Sequence, residues 1–115
     1  MRVLHRLSGR VPLWPLDPVP PTGPLLVEIY TSLAARAAGL RPGRSKIRDG
    51  GALDAALAEL GSPPCGMVGP VSDHASDALL SAAWLRLIAH DAAPWNPSPL
   101  SDALARTEGW TFGIV

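Results

Sequence analysis

Apolar and polar positions along this chain follow two periods, and each predicts a different element. Leu53, Ala56, Leu57 and Leu60 recur at helical spacing, which predicts a helix over 50–60, capped by Asp49 and closed by Gly61. A longer pattern predicts a second helix over 73–90 behind Ser72. On it Asp73, Asp77, Leu80, Trp84, Leu87 and Ile88 share one third of the circumference, with Arg86 and His90 opposite. Residues 31–38 read as a short helix with Thr31 near its N-cap and Gly39 just past its end. Residues 2–8 read as a helix tail ending at Gly9, and 100–105 as a single helical turn. The run LLVEI (25–29) is apolar almost throughout, as in a strand covered on both faces. VPLWPL (11–16) reads as an edge strand, because Pro12 and Pro15 withhold ladder donors, and GWTFGIV closes the chain as a strand. A strand followed directly by a helix predicts an α/β fold. The expected architecture is a short, mostly parallel sheet (strands near 11–16, 25–29 and 109–114) with three main helices (31–38, 50–60, 73–90).

Length and composition sharpen this picture. A chain of 115 residues, nearly half of them apolar, is expected to form a single domain over 1–115 with one core. Twelve of its thirteen prolines cluster at 12–24, 63–70 and 94–99, marking rigid loops. Cys65 is alone, so no internal disulfide is possible, and a reducing cytoplasmic setting is expected. No apolar run is long enough for a membrane span, and the opening MRVLHRLSGR is too charged for a signal-peptide core, so no membrane partner is expected.

Net charge is zero, yet the two halves differ sharply. Residues 1–48 carry eight Arg or Lys against Asp17 and Glu28, and residues 49–115 carry Arg86 and Arg106 against eight acids. Two surfaces of opposite sign, or two halves that attract and cancel, both follow from such a split.

Three carboxylates stand where carboxylates are costly. Glu28 interrupts the apolar run near the carboxyl end of its strand, where open α/β sheets place ligands. Asp73 and Asp77 lie one turn apart at the head of the most apolar helix, and like charges that close favour a cation between them. Asp73 also suits a first helical turn without any further role. Arg41, Arg44, Lys46 and Arg48 lie within the acid-free stretch 40–48 and are candidates for nucleic-acid backbone contacts or a solvated loop. The four tryptophans read as core and loop anchors.

The order VEIYTSLAARAAGL, a lysine in RSKIRD, then SDHASDALLSAAW and EGWTFGIV resembles a family of bacterial and archaeal predicted nucleases. That family carries a domain-of-unknown-function label and has a ribonuclease H-like fold. Glu28-Ile29-Tyr30 is similar to its glutamate–aromatic strand end, Asp73 to Ala78 to its acidic helix, and Glu108-Gly109-Trp110 to its closing strand. The 73–90 helix is also similar to the last helix of Holliday-junction resolvases, whose acids bind metal. The resemblance implies a partial ribonuclease H-like fold with Glu28, Asp73 and Asp77 as catalytic ligands of Mg2+ or Mn2+. Lys46, together with Arg44 and Arg48 of the basic stretch, is then expected to face nucleic acid. Two departures stand out: Thr31 replaces the usual proline, and no aspartate occupies a central first strand. Two-metal cleavage needs carboxylates holding ions about 4 Å apart, and the missing aspartate would be the bridging one.

Two functional expectations follow. One is a truncated metal-dependent nuclease, the C-terminal half of its domain, inactive unless an upstream half-domain completes it. The other is a non-enzymatic association module that pairs through an exposed sheet edge, with a second copy as one partner.

Overall fold

The computed structural model describes residues 2–41 and 46–115. Among the described residues five α-helices are formed: α1 (Arg2–Leu7), α2 (Thr31–Ala37), α3 (Gly50–Glu59), α4 (Asp73–Ile88) and α5 (Asp102–Thr107), with a 3₁₀ turn at Ala93–Trp95. Two compact units result, one comprising residues 1–29 and 93–115 and the other residues 30–92.

The expected α/β architecture is not formed. Among the described residues there is no sheet, only single bridges: Leu13 with Leu26 and Glu28 with Thr111, both parallel, and Asp49 with Pro70, antiparallel. The physical reasons are local. At 11–16 the chain turns back on itself: Asp17 N–H donates to the Leu13 carbonyl at 2.8 Å, and the Asp17 carboxylate accepts from Leu13 N–H at 2.9 Å. At 109–114 the positive φ of Gly109 and Gly113 ends the extended path after one bridge. There the Trp110 indole N–H closes the turn onto the Ile114 carbonyl at 2.9 Å. Residues 25–29 stay extended between these two turns but are half-buried, with Glu28 exposed, instead of covered on both faces. No sheet edge therefore exists among the described residues to serve association.

The first unit is built on aromatic packing. Trp14 (5% exposed) meets Phe112 (0% exposed) edge-on at 5.5 Å, and Trp95 lies tilted over Phe112 at 4.4 Å. Phe112 N–H donates to the Glu28 carbonyl at 2.8 Å, which ties the C-terminal turn to the extended segment.

In the second unit, α4 packs against both α2 and α3. Ala34, Leu53, Ala56, Leu57, Leu80, Ala83 and Trp84 are buried. The caps follow the sequence: Asp49 accepts from Ala52 N–H at 2.9 Å and Ser72 from Ala75 N–H at 3.2 Å. Gly61, at φ +63, lets Ser62 N–H reach back to the Leu57 carbonyl at 2.9 Å and close α3. Helix α2 begins at Thr31 itself, behind Tyr30, and Tyr30 makes no side-chain cap. On α4 the buried stripe ends at Trp84, and Leu87, one turn further along it, is 53% exposed.

Candidate functional site

The loop after α3 is held firmly despite its exposure. The Asp54 carboxylate accepts from Cys65 N–H at 2.7 Å. Val71 N–H donates to the Arg48 carbonyl at 2.9 Å, beside the Asp49–Pro70 bridge. These bonds lay residues 46–49 alongside 70–73. Ile47 turns inward and is buried, so its neighbours Lys46 and Arg48 must point the other way, toward solvent and the head of α4.

There the two cations meet Asp73. The Lys46 ammonium donates to Asp73 Oδ2, and Arg48 Nη1 lies 3.8 Å from Asp73 Oδ1. The Asp73 side chain keeps 34% of its exposure, but Oδ1 itself is sealed from solvent and accepts no hydrogen bond. The Lys46 hydrogen bond holds the Asp73 carboxyl below its usual value; burial opposes this, and the charges of Lys46, Arg48 and His74 add to it. The chemical result is an ion-pair clamp fastening the basic segment to the first turn of a helix, where a carboxylate is already favoured.

A depressed carboxyl contributes stability above its unfolded value and loses it as pH falls through the lower folded one. Asp73→Asn is therefore expected to melt below the parent, by an amount fully present above pH 3.8 and shrinking at more acid pH. Thermal melts followed by circular dichroism across that range check this. A gap that widens on acidification would contradict the clamp.

The other sequence-derived candidates are placed differently. Asp77 lies one turn beyond Asp73 and is half-buried, and its side chain makes no hydrogen bond or ion pair to the described residues. Glu28 belongs to the other compact unit, where its side chain is exposed and its backbone pairs with the 111–112 turn. Arg41 is exposed, and Arg44 lies outside the described residues. Among the described residues no group of three or more His, Cys, Asp or Glu side chains gathers as a metal ion would need. As arranged, Asp73 does not fit a divalent ion either: one oxygen is taken by an ammonium, and a guanidinium flanks the other.

The charge split also changes meaning once the units are drawn. The first unit holds Arg2, Arg6, Arg10 and Arg106 against Asp17, Glu28, Asp102 and Glu108. The second holds Arg36, Arg41, Arg44, Lys46, Arg48 and Arg86 against Asp49, Asp54, Glu59, Asp73, Asp77 and Asp91. Each unit is thus neutral by itself.

No family model, curated protein or solved structure matches this chain. No helix among the described residues is long and apolar enough to cross a membrane.

Sequence reasoning singled out Lys46, Arg48 and Asp73 but gave them separate tasks, phosphate contact for the bases and metal ligation for the acid. The alternation Lys46–Ile47–Arg48, with one apolar residue between two cations, was the available sign that both cations share a side. It carried no information on which acid they would face.

Proposed function

We propose that this chain is a non-enzymatic association module that pairs with a second copy of itself. The observation that carries the reading is the 62–71 loop, which is ordered from both flanks yet presents Val68 fully to solvent (100% exposed) beside an exposed Met67. A single exposed aliphatic is ordinary. A loop fixed by a carboxylate, a bridge and close packing on Gly50 presents its apolar tip already ordered, which lowers the entropy lost on association. Zero net charge removes the repulsion that otherwise keeps copies apart. The Asp73 clamp supports the non-enzymatic half of the reading, because it uses a metal-ligand candidate as an anchor for Lys46 and Arg48. Neutral units likewise offer no net positive field for a nucleic-acid backbone.

Light scattering over a concentration series is expected to show an oligomer that Val68→Asp weakens by tenfold or more, an effect of about 1.4 kcal/mol. Added Mn2+ or Mg2+ is expected to shift the melting temperature of neither the parent nor Asp77→Ala. A strictly monomeric protein whose melting temperature rises saturably with Mn2+, and loses that rise in Asp77→Ala, would replace this reading with the metal-dependent nuclease.

A further inference from the structure

The first unit contains a cleft of about 370 Å3 that the carboxylate and basic-loop arguments do not touch. That volume lies at the lower end of the range of small-ligand pockets, roughly 300–1,000 Å3, and suits one long side chain with its flanking backbone. Its walls are the indoles of Trp14 and Trp95 and the rings of Pro15 and Pro18; Asp17 and Asp102 also line it. Both acids are exposed, and among the described residues no Lys, Arg or His lines the cleft. Each part is fixed from behind. Trp14 is buried and meets Trp95 edge-on at 6.0 Å, leaving the half-buried Trp95 as the more accessible aromatic wall. Asp17 is held by Leu13 N–H at 2.9 Å, and Ser101 sets the position of Asp102 by capping α5 through Leu104 N–H at 3.3 Å.

We propose that this cleft binds an arginine side chain carried by an extended, proline-rich partner peptide. Two carboxylates with no cation among the lining residues disfavour an anion and favour a positive ligand. A guanidinium uses both features at once, since it stacks flat on an indole and presents forked donors to carboxylates, which an ammonium cannot match. The rigid apolar walls of proline and tryptophan suit a polyproline-like segment, which enters such grooves with little conformational entropy left to lose. No residue of the Val68 loop lines this cleft, and its test does not depend on self-association.

Fluorescence anisotropy of a fluorescein-labelled Pro-Pro-Arg-Pro-Pro peptide, titrated with the full chain, reads the proposal directly. Saturable binding is expected, weakened about tenfold when citrulline replaces arginine and about tenfold by Asp102→Asn, as for loss of a charged hydrogen bond. The same affinity is expected in Val68→Asp, which separates this site from the association surface. Arginine amide alone is expected to compete at least tenfold more weakly than the unlabelled peptide. Three results would each overturn the proposal: no saturable binding, equal affinity for the citrulline peptide, or unchanged affinity in both Asp102→Asn and Asp17→Asn. Arginine amide competing as well as the peptide would also overturn it, by making the ligand a small cation.

Discussion

Phe112→Ala is expected to lower unfolding free energy by about 3–5 kcal/mol, the range for removing a fully buried aromatic ring. Phe112 is the central ring of the first unit, in contact with Trp14 on one side and Trp95 on another. Its loss removes both ring contacts and leaves a void between two indoles that are themselves fixed by turns. The backbone bond from Phe112 to Glu28 survives the substitution, so the effect reports side-chain packing rather than chain connection. Urea denaturation followed by tryptophan fluorescence measures it. A loss below about 1 kcal/mol, the scale of a surface change, would mean that the aromatic cluster does not hold this unit together.

Gly50→Ala is expected to destabilise by about 2–3 kcal/mol, the upper part of the cost of overpacking. Helix propensity argues the opposite, since alanine exceeds glycine by about 1 kcal/mol within a helix. Gly50 opens α3, and by that rule the substitution should help. The decisive fact is spatial: a Cβ there would lie 1.8 Å from the Met67 carbonyl oxygen, a backbone atom that cannot rotate away. Either α3 or the 62–71 loop must shift, and with it the bridge between Asp49 and Pro70. Gly51→Ala provides the contrast, because its nearest neighbour is the Asp49 side chain at 3.3 Å. It is expected to change stability by no more than about 1 kcal/mol, because the helix-propensity gain of alanine is set against mild crowding of the Asp49 oxygen that caps α3. Thermal melting of the two variants side by side decides the matter, and equal melting temperatures would show that the close approach is not kept in solution.

The carboxylates show how far pattern alone reaches. Asp73 and Asp77 stand out in the sequence as acids on an apolar helix, and the i, i+4 spacing puts both at the head of α4. Which cation would answer Asp73 depended on where the chain led residues 46–48, and that path is set by Ile47 entering the core and by the Val71–Arg48 backbone bond. The +6 and −6 halves were legible too, but they described halves of a string. The compact units take residues 1–29 together with 93–115, and each comes out neutral.

Local sequence was sufficient for the helices. Asp49, Ser72 and Gly61 act on backbone groups within four residues of themselves, so their effects do not wait on any distant partner. Strand pairing is different, because an extended segment leaves its donors and acceptors to be matched by whatever lies beside it. The apolar run at 25–29 identified a segment able to join a sheet, but the turns at 13–17 and 109–114 allow one bridge on either side and no ladder. Only the tertiary structure decided that, and with it the meeting of Asp73 with Lys46, the rigid display of Val68, and the cleft of tryptophan, proline and carboxylate. Each of these depends on distances between residues far apart in the chain, which one-dimensional periodicity does not contain.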